Sequence, residues 1–169
     1  MEDTLSIIFA IILSLILMFM FPLIDTWDLQ DNLSYVVAYA STVDFVDAVR
    51  NTGYISRDAW DNYQNKLAST GNTYEVSMEH RRFNNDLSAY LNVYTLEIED
   101  DLEKGILDNN GDKKYVHKLD KYDYFYVTIK NTNRTQATIL SDFFTSGGST
   151  NVKIAVAYGG VVWSVRDDF

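Results

Sequence analysis

Residues 5–24 read LSIIFAIILSLILMFMFPLI, and this apolar run governs the architecture of the whole chain. It contains fourteen Leu, Ile and Phe residues, and its interruptions are Ser6, Ser14 and Pro22. Twenty helical residues span the roughly 30 Å hydrocarbon core of a bilayer. The sequence therefore predicts one transmembrane helix at the N-terminal end.

The flanks of the run carry no orientation signal. The first Lys or Arg is Arg50, and the run is preceded by Met-Glu-Asp-Thr. The positive-inside rule needs Lys or Arg near one end of a span, and a secretory signal peptide begins with a basic stretch. This is not an ordinary signal peptide, and we expect that a short leader has been cleaved ahead of residue 1.

A helical pattern continues beyond Ile24 and stops at Gly53. Its apolar residues form one predicted stripe: Leu29, Leu33, Val36, Val37, Ala40 and Val43, drifting to Val46 and Val49. A helix from Asp3 to Arg50 would be about 70 Å long, more than twice the bilayer core, so half of it must stand outside. Pro22 cannot donate to the carbonyl of Met18, so we expect the helix to kink or loosen there.

The composition narrows the range of functions. The net charge is −10 and the isoelectric point is about 4.5, which argues against nucleic-acid binding because phosphates require clustered Lys and Arg. The absence of Cys excludes disulfides, cysteine-ligated metals and thiol catalysis. With one Pro and eight Gly there is no flexible linker. We expect two parts, a helical segment over 1–52 and a single globular head over 53–169.

The head pattern is that of an α+β fold with an antiparallel sheet and short helices. Ser56 is placed to cap a helix that carries Trp60, Tyr63 and Leu67, and Thr73 to Glu79 alternates as a strand. The stretch Asn84 to Leu102 is predicted as irregular structure leading into a helix with Leu91, Tyr94, Ile98 and Leu102, ended by Gly105.

The last third of the chain predicts a strand, a helix and a hairpin. Tyr122 to Lys130 alternates strongly, and Thr135 begins a helix that bears Leu140, Phe143 and Phe144. Gly159-Gly160 lies between 152–158 and 161–165. Because Gly takes positive φ freely, this pair predicts a two-residue hairpin turn.

Three segments carry a family resemblance: FVDAVRNTGYI at 45–55, DYFYVTI at 123–129 and GGVV at 159–162. With the first helix they make the chain resemble type IV pilin-like proteins, most of all the TadE-like pseudopilins of Gram-positive Tad (Flp) pilus systems. The departure from that pattern is the lack of a leader with a basic residue and a Gly or Ala before the cleavage point.

The resemblance implies a pilin-like structural protein with no cofactor. Its helix would sit in the inner (cytoplasmic) membrane, then enter the core of a homopolymeric filament on the cell surface. A prepilin-type peptidase and pilus assembly machinery would be its partners. Glu2, with Asp3 as the alternative, would balance the α-amino group of a neighbouring subunit. The predicted assembly residues are Glu2, Leu5, Ile8, Ile12, Leu15, Phe19, Pro22, Leu29, Leu33 and Val36.

Two other functions stay open. One is a membrane-anchored minor pseudopilin that primes assembly, and the other is a signal-anchored extracytoplasmic domain that binds a ligand through a Tyr-rich face. If filaments form, Leu29, Leu33 and Val36 should be shielded by neighbouring subunits or by the head's own sheet.

No constellation of side chains predicts an enzyme or a metal site. His80 and His117 lack ligands at metal spacing. The segment 108–112 lacks the terminal Glu of a calcium loop, so a solvated turn is the simpler interpretation. Asn32 and Asn133 lie in glycosylation sequons, which also arise by chance.

Overall fold

The computed structural model of the chain describes residues 2–84, 89–107, 111–145 and 154–164, with the backbone alone for 2, 3, 84, 89, 90, 140, 141 and 143–145. Its first element is a single helix of 51 residues, α1 (Glu2–Thr52). At 1.5 Å per residue α1 is about 76 Å long. It is long and apolar enough to cross a membrane once, with its most apolar window entirely unburied.

The C-terminal end of α1 is set by Gly53, as predicted. Gly53 has φ of 79°, and its N–H donates to the Val49 carbonyl at 2.8 Å. This left-handed conformation costs a residue with a Cβ about 1 kcal/mol or more, which is why helices so often end at Gly. The chain then turns directly into β1 (Tyr54–Ser56), with no linker between rod and head.

The head alternates short helices and strands. Its remaining elements are α2 (Arg57–Ala68), β2 (Tyr74–Asn84), β3 (Ala89–Tyr94), α3 (Thr95–Lys104), β4 (Ile106–Leu107), β5 (Lys113–Lys114), β6 (Val116–Lys118), β7 (Tyr124–Asn131), α4 (Gln136–Thr145) and β8 (Ala155–Val161). This is the predicted α+β fold, a long N-terminal apolar helix followed by a small sheet domain.

Four strands form the main antiparallel sheet in the order β3-β2-β7-β8, and two-stranded ribbons pair β1 with β6 and β4 with β5. The alternation predicted for β7 is confirmed. Phe125, Val127 and Ile129 are fully buried, whereas Tyr124 and Tyr126 lie on the opposite face and are half-buried. One face of the sheet therefore forms the core.

The end of α1 lies inside that core. The Phe45 ring stacks on Tyr63 of α2 with centroids 4.5 Å apart, and it meets Phe125 of β7 edge-on at 6.2 Å. Val46 and Val49 are buried beside it. The rod and the head thus share one hydrophobic core, whose apolar burial is the main favourable term in folding.

The predicted start of α2 is confirmed. Ser56 has extended backbone, and its hydroxyl accepts a hydrogen bond from the Ala59 N–H at 3.2 Å. Such a cap contributes about 1 kcal/mol. Trp60, Tyr63 and Leu67 are the buried residues of α2, at the spacing expected for one helical face.

The prediction of a helix carrying Leu91 and Tyr94 is wrong. β2 continues to Asn84, β3 pairs with it so that Tyr94 lies opposite Glu79, and the helix begins only at Thr95. The Thr95 hydroxyl accepts from the Met78 N–H at 2.7 Å and donates to the Met78 carbonyl at 3.1 Å, which ties the helix start to β2. Ile98, Leu102 and the terminating Gly105 are where the sequence predicts them.

The prediction of a hairpin turn at Gly159-Gly160 is also wrong. Both glycines lie inside β8, opposite Tyr126 and Phe125 of β7. Their role is close approach, because a Cβ on Gly159 would overlap the Tyr126 ring and lie 2.6 Å from the Phe125 carbonyl oxygen. A Cβ on Gly160 would lie 2.7 Å from Cζ of Arg50.

We expect Gly159→Ala to destabilise the head by about 1–3 kcal/mol, because the added methyl group must displace strand backbone as well as the Tyr126 ring. Thermal unfolding of the full chain in detergent, followed by near-ultraviolet circular dichroism, measures the loss. Ala157→Ser, at an exposed position two residues earlier in β8, is the matched control and should unfold like the parent. Equal stability of both variants would contradict the close-approach role.

Candidate functional site

The predicted assembly residues of the apolar run lie exposed along α1: Leu5, Ile8, Ile12, Leu15, Phe19 and Pro22. In a single chain none of them is covered by the head. The helix begins at Glu2, but the side chains of Glu2 and Asp3 lie outside the described part of the structure. The pairing role of Glu2 therefore stays a prediction.

The assembly residues follow a regular repeat. From Leu5 to Val36 the steps alternate between three and four residues, with Thr26 filling the one missing position. We call this surface the α1 stripe: Leu5, Ile8, Ile12, Leu15, Phe19, Pro22, Thr26, Leu29, Leu33 and Val36. A repeat of 3.5 residues on a helix of 3.6 residues per turn favours left-handed supercoiled packing of one helix on another.

Beyond the apolar run, α1 has two faces of opposite character. Leu29, Leu33 and Val36 point away from the head and are 68%, 62% and 57% exposed. The face against the head carries smaller and more polar residues before its apolar end: Ser34, Ala38, Ser41, Thr42, Phe45, Val46 and Val49. The stripe predicted from Leu29 was expected to drift to Val46 and Val49, and in the structure these last two residues lie on the face against the head.

Small side chains explain how this second face packs. Ser34, Ala38 and Ser41 are all buried, and their size lets the head approach the helix closely. The head's own sheet leaves the α1 stripe uncovered, which removes one of the two ways predicted for shielding Leu29, Leu33 and Val36.

Polar contacts fix the rotation of α1 against the head. The Thr42 hydroxyl donates to the Ala38 carbonyl at 2.7 Å and lies 2.9 Å from the Tyr63 hydroxyl. Burial raises the pKa of Tyr63 to about 12, although the hydrogen bond with Thr42 opposes the shift. About three turns towards the N-terminus of α1, the Asp31 carboxylate accepts a hydrogen bond from the Thr135 hydroxyl at 2.7 Å.

Arg50 holds the end of α1 to the edge of the sheet. Its Nε donates to the Val161 carbonyl at 2.9 Å, and its Nη1 pairs with Asp47 at 2.8 Å. The guanidinium lies over the Trp163 ring at 5.3 Å, and the backbone N–H of Trp163 donates to the Arg50 carbonyl at 3.0 Å. These contacts fix the direction in which the stripe points relative to the head.

Pro22 does not interrupt α1. The helix is continuous through it, and the Thr26 hydroxyl donates to the Pro22 carbonyl at 2.8 Å. This bond gives the Pro22 carbonyl an additional partner at the boundary between the apolar and acidic parts of the helix.

The two histidines, which the sequence leaves as unrelated residues, meet in the core. His80 Nδ1 lies 2.9 Å from His117 Nε2, and His80 Nε2 lies 2.7 Å from Oδ2 of Asp123. At the other end, His117 Nδ1 lies 2.6 Å from Oδ2 of Asp101. We call these four residues the Asp-His chain. It joins α3, β6, β2 and the loop that leads into β7.

The Asp-His chain is anchored firmly at Asp123. Besides His80, the carboxylate accepts from the N–H groups of Phe83 at 2.9 Å and Asp120 at 2.8 Å. Burial opposes the charge of Asp123, but these hydrogen bonds outweigh it, so the pKa of Asp123 is lowered. Burial lowers the pKa of His117, and the hydrogen bond with Asp101 opposes that shift.

One sequence signal could have found His80. It continues the inward positions of β2 after Tyr74, Val76 and Met78, so the alternation already turns it into the core. A buried imidazole needs hydrogen-bond partners. The identity of those partners could not be read, because His117 and Asp123 are distant in sequence. No group of three or more His, Cys, Asp or Glu side chains suited to a metal occurs among the described residues.

The remaining predicted positions are easily placed. Residues 108–110 of the calcium-like segment lie outside the described residues. Asn32 is exposed on α1, whereas the Asn133 amide accepts from the Thr73 N–H at 3.0 Å and donates to Asn72 Oδ1 at 2.9 Å. Tyr124 and Tyr126 stack with centroids 6.5 Å apart on the outer face of the sheet.

Together, the fold and the exposed helix define a rod-and-head protein whose first helix is long and apolar enough to cross a membrane once. Comparisons with family models, with curated proteins and with solved structures return no match.

We expect acid to destabilise the head in two stages. Below about pH 6.5 the unfolded chain protonates His117, whereas the lowered pKa of His117 delays its protonation in the folded chain. At lower pH the unfolded chain also protonates Asp123 before the folded chain does, because the folded pKa is the lower one. In both windows the unfolded state binds more protons, so stability falls as pH falls. Urea unfolding of the full chain between about pH 3 and pH 8 measures both stages.

Asp123→Asn tests the second stage. The amide places a donor where the carboxylate accepts three hydrogen bonds, so we expect a loss of about 3–5 kcal/mol at neutral pH. The stability of this variant should then depend less on pH in the lower window. Asp44→Asn, an exposed carboxylate in a loose 3.7 Å pair with Lys66, is the control. A pH profile that is unchanged by Asp123→Asn would refute the assignment.

Proposed function

We propose that this protein is the structural subunit of an extracellular pilus-like filament, which polymerises through α1 with its head outward. The observation that carries the proposal is the uncovered apolar face at Leu29, Leu33 and Val36. A membrane anchor accounts for the apolar run at 5–24, but these three residues follow Asp25 and Asp28 and lie beyond the length that a bilayer needs.

The apolar area left uncovered on α1 favours assembly. Covering a Leu or Val side chain contributes about 1.5–3 kcal/mol each. A helix that stood alone in water above the membrane would forgo this at all three positions. Packing against equivalent helices of other subunits covers both the apolar run and the continuation outside it, along one stripe.

The two faces of α1 support the orientation. The head occupies the face that carries Ser34, Ala38 and Ser41, so the opposite face is free for other subunits. If the stripes meet at the filament axis, the heads must lie outside. The layout agrees with the resemblance to type IV pilin-like proteins, from which the membrane stage, the peptidase and the role of Glu2 are carried over.

Val36→Asp should abolish filaments while the head still folds. An ionised carboxylate on the stripe would be buried unpaired in the assembled core, at a cost of several kcal/mol per subunit. Negative-stain electron microscopy of material sheared from the native cells counts the filaments. N-terminal sequencing of the main protein band identifies the subunit and its first residue.

Leu96→Asp is the matched control. Leu96 is 81% exposed on α3 of the head, so the same change there removes an exposed apolar residue without touching the stripe. It should leave filaments intact. Normal filaments from Val36→Asp would refute packing through the stripe. Protein retained in the membrane, with no filaments even from the parent chain, would instead favour an anchored minor component or binding domain.

A further inference from the structure

The Asp-His chain has a proton count that its geometry dictates. Three hydrogen bonds link Asp101, His117, His80 and Asp123 in series, and each needs one proton. Two neutral imidazoles supply only two protons, and ionised carboxylates supply none. All three bonds can form at once only when the chain holds one proton more than the neutral histidines carry.

Without that third proton one of the three hydrogen bonds cannot form. The bond that is lost should be the one whose partners are most accessible to water, because an unpaired polar group costs least there. His80 is fully buried, and Asp123 is held by two backbone N–H groups as well. Asp101 is the exposed end, with 37% of its side chain accessible to water. The arrangement of lowest free energy keeps the two most buried bonds, in which His117 donates to His80 and His80 donates to Asp123. The unprotonated Nδ1 of His117 then faces the Asp101 carboxylate. Two acceptors repel each other at this distance, and the Asp101 carboxylate can leave for water.

We propose that the Asp-His chain is a proton-operated latch, which ties α3 to the sheet when the extra proton is bound and releases Asp101 to solvent when it is lost. The Asp-His chain binds one extra proton, and it meets the solvent at the exposed carboxylate of Asp101. The latch is independent of the proposed filament function.

Charged groups on α3 and β2 act on His117. Asp101 on α3 favours protonation of His117, whereas Arg82 at the exposed end of β2 disfavours it, as does a charge on His80. On β1, opposite β6, the residue paired with His117 is the uncharged Ile55. Since burial lowers the pKa of His117, release should occur on the acid side of about 6.5.

Release loosens only part of the head. α3 stays attached by the buried side chains of Ile98 and Leu102 and by the hydrogen bonds between Thr95 and Met78. The interaction that α3 loses is the hydrogen bond between Asp101 and His117. The latch therefore changes the local opening of α3 and not the fold.

Hydrogen exchange of the full chain in detergent tests the latch. Protection of the α3 segment (Thr95–Lys104) is divided by that of the α2 segment (Arg57–Ala68) at each pH from about 4.5 to about 7.5, a range that includes the ordinary histidine pKa. The ratio removes the intrinsic pH dependence of exchange and any global unfolding. We expect it to fall on the order of tenfold as pH rises through the release, the size of one charged hydrogen bond.

Asp101→Asn should abolish that fall. The amide introduced there can donate to the unprotonated Nδ1 of His117, so all three bonds form without an extra proton and α3 stays tied at every pH. Asp100→Asn, next to it and ion-paired with Lys104 on the surface, removes the same charge from α3 and should keep the parent's pH dependence. A ratio that does not change with pH in the parent chain, or an equal fall in Asp101→Asn, would overturn the latch.

Discussion

The apolar side chains that α1 leaves uncovered are the constraint on which the rest of the structure depends. Apart from the Met18 carbonyl, to which Pro22 cannot donate, the interior backbone groups of α1 can pair within the helix, so α1 suits lipid or the company of other helices. Its side chains are not covered, since large apolar residues stay exposed from Leu5 to Val36. A monomer in water would leave far more apolar surface uncovered than the scattered exposed residues normal for soluble proteins. The fold therefore presupposes surroundings that cover these side chains. A membrane would cover the apolar run, and the proposed neighbouring subunits would cover Leu29, Leu33 and Val36.

Much of the architecture could be predicted from local patterns. The apolar run, the stop at Gly53, the cap at Ser56 and the alternation of β7 each depend on residues near one another in sequence, and each is where the pattern places it. The failures have a common cause. Leu91 lies in a strand because β3 pairs with β2, and Gly159 lies in a strand because Tyr126 and Arg50 come close to β8. Such partners are set by tertiary structure, which overrides local propensity.

The candidate site divides in the same way. The residues of the α1 stripe could be selected from their spacing alone, but which face of α1 the head occupies could not. Apolar periodicity indicated a stripe from Leu29 that drifts to Val46 and Val49, but it did not indicate that the head also packs on the small and polar side of Ser34 and Ser41. The Asp-His chain was beyond local pattern altogether, since its members come from four separate segments. What the alternation of β2 could reveal was only that His80 points inward.

The shared core of rod and head has a mechanical meaning. Phe45 and Val49 are packed beneath the sheet, and Arg50 donates to the Val161 carbonyl of β8, so several side chains join the head to the end of α1. The head and the end of α1 would therefore move as one body. Tension along α1 passes into β8 and its neighbour β7 through many side chains at once, and a twist of the helix turns the whole sheet. In an array of such rods, the orientation of every head would be set by the rotation of its helix.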